Sequence, residues 1–196
     1  MRKHWTLRYI IDRIFNFFYF YTNKNIPWLS KNANKFFVKK LNSNMTGLEF
    51  GSGNSTLWIA NRIKFLTSIE HNLKWYEIVN QKGLPKNLKY LLVKENDYSK
   101  YISEIQDSSI DFCLNDGLER DVISVNIISK IKPGGFILID DIERYLPQKD
   151  TTSPSKGCCK TKLWEEFDLK TKNWERKYFS DGITDQIFLF KPQTND

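Results

Sequence analysis

The chain contains two kinds of apolar pattern that alternate along most of its length. Short apolar runs are separated by longer segments in which apolar residues recur every third or fourth position. The runs predict strands and the longer segments predict helices, because side chains repeat every two residues in a strand and about every 3.6 residues in a helix. This alternation is typical of βαβ units on a parallel sheet, where ligands bind at the carboxyl ends of the strands. The pattern predicts strands at 46–50, 65–70, 90–93, 110–114 and 135–140, and helices at 55–63, 75–82, 98–105 and 122–131.

The C-terminal part follows a different pattern. Residues 146–162 are rich in Pro, Ser, Thr, Gly and Lys without periodicity, which predicts a mobile loop. Two further strands are predicted at 174–179 and 186–191, and the short Ser180-Asp181-Gly182 connection favours an antiparallel hairpin at the sheet edge. The expected fold is therefore α/β, a Rossmann-like sheet that is mostly parallel and closes with an antiparallel hairpin.

An amphipathic helix is predicted at the N-terminus. Its apolar residues fall on one face, and a second helix is predicted over 30–41 with Ser30 as its N-cap. We expect residues 1–41 to form a helical arm and residues 42–196 to form the main domain. Two alternatives stay open for the first helix, which either packs on its own domain or lies on an anionic membrane. The apolar residues of this helix are Leu7, Ile10, Ile11, Ile14, Phe17, Phe18 and Tyr21.

Positive charge is concentrated in the same arm. The 196 residues have a net charge of +7. Residues 1–40 hold nine basic residues against Asp12 alone, a balance of +8, so the remainder sums to −1. Charge confined to an arm makes nucleic acid an unlikely partner and favours an anionic membrane surface. The basic residues are Arg2, Lys3, Arg8, Arg13, Lys24, Lys31, Lys35, Lys39 and Lys40.

Cysteine use and the lengths of the apolar runs bear on the compartment. Three cysteines, two of them adjacent, make a poor disulfide framework and fit a reducing environment. No apolar run reaches the roughly 18 residues that a membrane-spanning helix needs. We therefore expect a cytoplasmic protein, with peripheral attachment to the inner face of the membrane as an open alternative.

A glycine-rich loop joins the first core strand to the first core helix. Gly51 and Gly53 let the backbone turn sharply and approach a ligand. Glu70 ends the next predicted strand, where a carboxylate can accept hydrogen bonds from ribose hydroxyls. Thr56 stands where the dinucleotide fingerprint has Gly or Ala, and Glu49 would repel a pyrophosphate. A ligand with a positive charge at this point fits better than a dinucleotide.

The stretch EFGSGNST, with SIEH at 68–71, resembles the class I S-adenosylmethionine-dependent methyltransferases over about residues 45–191. The resemblance implies that the loop holds the methionine part of the cofactor and that the acid after the second strand binds ribose. It also implies that an acid after the third strand lies near adenine, with an aromatic neighbour. The implied cofactor residues are Glu49, Gly51, Ser52, Gly53, Ser55, Thr56, Glu70, His71, Asp97, Tyr98 and Asp116.

Three further acids follow the fourth and fifth strands, namely Asp116, Asp140 and Asp141. In this respect the chain resembles the metal-dependent O-methyltransferases, which implies Mg²⁺ held by these three residues. Without a metal, Asp116 would face the cofactor or substrate and one of the paired acids would cap the next segment. Glu119 and Arg120 follow Asp116 where that family often has a lysine base. The catalytic candidates are therefore Asp116, Asp141 and Glu119.

The loop and a D-G-x-x-R segment are also similar to uncharacterised bacterial methyltransferases that act on small molecules or sugars. This resemblance implies O-methylation of a small molecule or of a sugar or glycan precursor. Two alternatives stay open, an RNA methyltransferase that uses the basic arm and a non-catalytic cofactor-binding partner subunit.

Overall fold

A computed structural model describes residues 6–94, 97–146, 153 and 155–193. Its helices are α1 (Leu7–Thr22), α2 (Lys31–Lys40), α3 (Asn54–Ala60), α4 (Leu73–Asn80), α5 (Tyr98–Ser103), α6 (Arg120–Ile127) and α7 (Lys162–Lys170). Its strands are β1 (Thr46–Phe50), β2 (Phe65–Glu70), β3 (Leu88–Leu92), β4 (Ile110–Asn115), β5 (Ile131–Ile139), β6 (Glu175–Ser180) and β7 (Asp185–Phe190). A 3₁₀ turn covers Ile142–Arg144.

These strands form one sheet in the order β3-β2-β1-β4-β5-β7-β6. The first five strands pair in parallel, whereas β7 pairs antiparallel with both β5 and β6. This confirms the predicted α/β fold with its antiparallel hairpin at the edge. The strand order reverses between β1 and β4, which is where doubly wound sheets open a crevice for ligands.

The two faces of the sheet are covered by different helices. One apolar cluster joins the sheet to α5, α6 and α7, and the other joins it to α2, α3 and α4. Ser30 caps α2 as predicted, because its hydroxyl accepts from the Ala33 amide at 3.3 Å. Ala33 and Phe37 of α2 are completely buried. This helix therefore belongs to the core, although the sequence prediction grouped it with the arm.

The structure differs from the sequence prediction at β5 and at α7. The strand β5 begins at Ile131, not at residue 135, and its pairing with β4 shifts register between Ile110 and Phe112. A bulge of this kind accommodates Pro133 within a strand. The helix α7 was not predicted; it is fixed by Trp164 and Phe167, which are buried.

The predicted loop at 146–162 lies partly outside the described residues, which omit 147–152 and 154. Its last residue already belongs to α7. At the other end of the chain, Arg2 and Lys3 of the basic arm also lie outside the described part. Within the described part, each helix is too short or too polar to cross a bilayer.

Candidate functional site

A cleft of about 270 Å³ opens at the carboxyl ends of β1, β2 and β4. Seven residues that the sequence assigned to the cofactor line it, namely Gly51, Ser52, Gly53, Ser55, Glu70, His71 and Asp116. The folding of three separate segments to one sheet edge brings these residues together. The other lining residues are Trp28, Asn54, Trp75, Gly117, Leu118 and Arg120.

Glycine is suited to the two loop positions, 51 and 53, for different structural reasons. Gly51 has φ +86°, and a Cβ there would lie 2.6 Å from the backbone oxygen of Asp116. Gly51 is therefore needed for close approach of the β1 and β4 loops, not for space in the cleft. No described heavy atom lies within 4 Å of a Cβ built on Gly53. The open space above Gly53 is available to a ligand.

Glu49 is buried beneath this loop and does not line the cleft. Its Oε2 accepts hydrogen bonds from the Thr56 hydroxyl at 2.7 Å and from the Ser68 hydroxyl, while Thr56 Oγ1 accepts from the Gly53 amide at 3.0 Å. Burial raises the pKa of Glu49 to about 7, although hydrogen bonds from Ser55, Ser68 and Thr56 oppose the rise. Of the residues that the sequence assigned to the cofactor, Glu49 and Thr56 therefore lie behind the loop and not on the cleft surface. Both residues instead hold the loop in shape.

Glu70 lies at the floor of the cleft and is almost fully engaged by the protein. Its Oε2 accepts from the amide and the hydroxyl of Ser52, both at 2.8 Å. Its Oε1 accepts from the amides of His71 at 3.0 Å and Asn72 at 2.8 Å. A carboxylate has about four lone-pair positions, so a ribose hydroxyl would have to replace one of these donors. The Ser52 hydroxyl is the only side-chain donor of the four.

The residues predicted near adenine lie in different environments. His71 lines the cleft, and its Nδ1 is 3.1 Å from the Tyr98 hydroxyl. Tyr98 is fully buried against Phe50, with ring centroids 5.4 Å apart, so its ring is not a surface on which adenine could stack. Asp97 follows β3 as predicted, but it pairs with Lys100 at 2.8 Å and does not line the cleft.

Asp116 stands on the cleft wall just after β4, and Arg120 holds it. Arg120 Nη2 lies 2.7 Å from Asp116 Oδ1, and the Arg120 side chain is only 10% exposed. Burial and the nearby charges of Asp141 and Glu70 raise the pKa of Asp116 to about 6, although the positive charge of Arg120 opposes the rise. The side chain is 41% exposed, so water offsets part of this rise and the carboxyl stays ionised at pH 7.

The other two acids of the predicted magnesium site are engaged within the protein. Asp141 Oδ2 pairs with Arg144 at 2.9 Å and with Arg120 at 3.5 Å. Asp140 is buried, and its Oδ1 accepts from Gln186 at 2.8 Å. Burial and the charges of Asp116 and Asp141 raise the pKa of Asp140 well above its ordinary value.

These contacts do not support the predicted magnesium site. The described residues include no cluster of three or more His, Cys, Asp or Glu side chains placed to hold a metal ion. The physical reason is that Arg120 and Arg144 already balance the charge of Asp116 and Asp141. Glu119 is also not in the cleft lining; it is the N-cap residue before α6 and has a left-handed conformation with φ 49°.

The sequence prediction missed the aromatic mouth of the cleft. Trp28 and Trp75 meet edge to face with ring centroids 6.0 Å apart, and both are substantially exposed. Trp28 lies in the connection before α2, far along the chain from the glycine loop, so no local pattern could have placed it there. The only signal in the sequence was a tryptophan directly after Pro27.

The sheet is Rossmann-like and carries a cleft at the carboxyl ends of its parallel strands. Residues 48–142 match the profile of a methyltransferase-domain family. This match agrees with the resemblance to the class I S-adenosylmethionine-dependent methyltransferases. No protein with a curated description matches the chain in sequence.

Many solved structures share the fold. An S-adenosylmethionine-dependent methyltransferase from Aquifex aeolicus has a TM-score of 0.54 and 17% identity, over 80% of this chain and 87% of that one. The tRNA (m1A58) methyltransferase TrmI from Aquifex aeolicus has a TM-score of 0.54 and 15% identity, over 82% and 68%. Fibrillarin from Aeropyrum pernix, solved with bound S-adenosylmethionine, has a TM-score of 0.53 and 14% identity, over 76% and 67%. At these identities the likeness shows the fold.

Proposed function

We propose that the chain transfers the methyl group of S-adenosylmethionine to a hydroxyl oxygen of a small molecule or sugar, with Asp116 as the general base. The observation that carries the proposal is the position of the Asp116 carboxylate. It lies on the wall of the same cleft as Gly51, Ser52 and Gly53, and Arg120 fixes it there. A base held in place in this way removes much of the cost of orienting the proton acceptor.

The lining of the cleft fits the cofactor. The open space above Gly53 allows close approach to the loop backbone, and Glu70 with His71 presents polar atoms at the end of β2. When bound, S-adenosylmethionine supplies an electrophilic methyl group on a sulfonium centre.

Asp116 would take the proton of the acceptor hydroxyl. The cofactor would supply the methyl group to the acceptor oxygen and leave as a neutral thioether, whose sulfur keeps the electron pair of the broken sulfur–methyl bond. Arg120 is a positioning residue in this scheme. Besides Asp116, it binds the backbone carbonyl oxygens of Gly117 at 2.9 Å and of Asp140. These bonds keep the guanidinium in place when Asp116 gains a proton.

The mouth of the cleft supports an acceptor with at least one flat, apolar face. Trp28, Trp75 and Leu118 border the opening, and each is at least 37% exposed. Tryptophan rings combine a large apolar surface with one hydrogen-bond donor, which suits the mixed polarity of a sugar or a small ring compound. Glu70 and Asp116 beside them disfavour a phosphate-rich acceptor such as RNA.

The decisive experiment combines calorimetry with a transfer assay. We expect purified protein to bind S-adenosylmethionine, and to transfer labelled methyl to a member of a panel of nucleotide sugars, glycans and small hydroxyl compounds. RNA transcripts belong in the same panel. Methylation of RNA alone would favour the alternative in which the basic arm holds the substrate. Cofactor binding without transfer to a broad panel would favour the non-catalytic subunit.

Variants of two aspartates separate catalysis from folding. Asp116→Asn should bind the cofactor like wild type and lose transfer. Asp107→Asn is the matched control, because Asp107 pairs with Lys130 at 2.7 Å on the surface and does not line the cleft. Equal activity of both variants would remove Asp116 from the reaction.

A further inference from the structure

Helix α1 turns its apolar face away from the protein. Leu7 is 75% exposed, Ile14 is 51% exposed and Phe18 is 58% exposed. A helix that packs on its own domain buries its apolar stripe, so this orientation is the reverse of the usual one. The same face includes Ile10, Ile11, Phe17 and Tyr21, all of which are exposed.

The polar side of α1 faces the domain instead. Asp12 lies against Gly182 in the connection between β6 and β7. The Tyr19 hydroxyl accepts a hydrogen bond from Asn34 of α2 at 3.4 Å. These contacts fix which face of α1 is free, and they leave the apolar face unpartnered within the described residues.

The charges around this face are of one sign. Arg8 and Arg13 lie on the two sides of the apolar stripe, about 120° and about 100° around the helix from its centre. Arg8 also pairs with Asp12 at 3.8 Å, whereas Arg13 lies on the other side of the stripe. Lys31 and Lys35 line the groove between α1 and α2 together with Phe18. Asp12 is the single acid in residues 1–40, and it is turned toward the domain. A partner for this surface must therefore be both apolar and anionic.

We propose that α1 docks the protein on an anionic lipid bilayer, with the outward apolar face among the acyl chains and the basic residues at the headgroups. Aromatic and aliphatic residues on one face with Arg and Lys beside them are the features of helices that lie in the membrane interface. A second copy of the chain is a poorer occupant, because pairing two such faces would bring two sets of like charges together. The proposal does not depend on the identity of the methyl acceptor.

Docking through α1 has a consequence for the cleft. A groove on the other side of α1 is lined by Phe17 and Tyr21, and Trp28 and Asn54 line both this groove and the cleft. Trp28 and Asn54 therefore separate the mouth of the cleft from the groove beside α1. Docking of α1 on a bilayer would hold the mouth of the cleft close to the lipid headgroups.

The test is co-sedimentation of the full chain with vesicles, using phosphatidylcholine alone or with roughly 30% phosphatidylglycerol. We expect binding to the anionic vesicles only, and a steep fall as salt rises. The double variant Ile14→Ser with Phe18→Ser should weaken binding roughly tenfold or more, since each side chain removes apolar surface from the interface. Arg13→Gln should weaken it about fivefold at low salt.

The control is Leu169→Ser, which removes an exposed leucine (68% exposed) from α7 and should bind like wild type. Circular dichroism checks that all variants are folded, which we expect because none of the altered side chains is buried. Unchanged binding of the Ile14 and Phe18 double variant would overturn the proposal, and so would equal binding to neutral vesicles. Absence of vesicle binding, with a dimer in sedimentation analysis that the double variant dissociates, would overturn it in favour of self-association.

Discussion

The hydroxyl of Ser52 donates to Glu70 Oε2 over 2.8 Å, and the Ser52 amide donates to the same oxygen over the same distance. Tyr90 extends this network, because its hydroxyl lies 2.6 Å from Ser52 Oγ. Ser52 can therefore turn toward Tyr90 and release one acceptor position on Glu70. In the proposed complex with S-adenosylmethionine, a ribose hydroxyl would donate to Glu70 at that position.

Variants of Ser52 and Glu70 should separate the contribution of these residues to stability from their contribution to cofactor affinity. Glu70→Ala leaves three backbone amides without their acceptor, so we expect a loss of about 1 to 3 kcal/mol in unfolding free energy and a weaker affinity for S-adenosylmethionine. Ser52→Ala removes one donor but frees an oxygen of Glu70, so it should cost about 1 kcal/mol of stability and keep wild-type affinity. Denaturant unfolding and calorimetry measure both. If Ser52→Ala lost as much affinity as Glu70→Ala, the Ser52 hydroxyl itself would be a group that binds the cofactor.

The two loop glycines form a second matched pair. Gly51→Ala places a Cβ 2.6 Å from the Asp116 carbonyl oxygen at a positive φ, so it should destabilise the fold by about 1 to 3 kcal/mol. Gly53→Ala meets no described protein atom, so it should unfold like wild type but bind the cofactor more weakly. Thermal unfolding and calorimetry distinguish the two outcomes. A Gly53→Ala protein with normal affinity would show that the cofactor does not approach this residue.

Chelation tests the correction of the magnesium prediction. Arg120 and Arg144 balance the charge of Asp116 and Asp141, so we expect EDTA to leave cofactor affinity and methyl transfer unchanged. Loss of transfer on chelation, with recovery on adding Mg²⁺, would restore the metal site.

The rate of methyl transfer should rise with pH as Asp116 loses its proton. This rise should lie above the pH range in which an ordinary aspartate titrates, because burial raises the pKa of this residue.

The centre of the sheet could be predicted from sequence because strands such as β4 and β5 contain short apolar runs, as expected when both faces are buried. The start of β5 could not, because Pro133-Gly134-Gly135 signals a turn. In the structure this segment is a bulge, and Gly135 is required since a Cβ there would lie 2.6 Å from the Asp111 carbonyl oxygen. The same Pro and Gly residues can end a strand or form a bulge within it. Only the pairing of β5 with β4 in the folded sheet decides between the two.

The candidate site shows a similar division. The glycine loop and the acids at the strand ends follow from residue order, whereas their partners do not. Arg120 contacts Asp116, Asp141 and the Asp140 carbonyl oxygen only because β4 and β5 are neighbours. The periodicity of α1 predicted an apolar face, yet nothing local in the sequence indicated that this face would point outward.

The buried carboxyl of Glu49 gives a pH dependence whose sign can be worked out. Burial raises the pKa of Glu49 to about 7 in the folded protein, from its ordinary value of 4.5. The folded state therefore holds the proton more tightly than the unfolded chain. Because of this group, the free energy of unfolding of the protein falls as pH rises from about 4.5 through about 7. The total fall in the free energy of unfolding is about 3 kcal/mol, because one pKa unit corresponds to about 1.4 kcal/mol.

Glu49→Gln isolates this effect, since glutamine can still accept from Thr56 and Ser68 but does not titrate. We expect the stability of wild type relative to Glu49→Gln to fall across this pH window and to level off above it, as measured by urea unfolding at a series of pH values. Ser68→Ala provides an independent check. It removes a hydroxyl that stabilises the charged form, so the fall should move to higher pH. A difference between wild type and Glu49→Gln that does not change with pH would show that Glu49 is ionised at no cost beneath the loop.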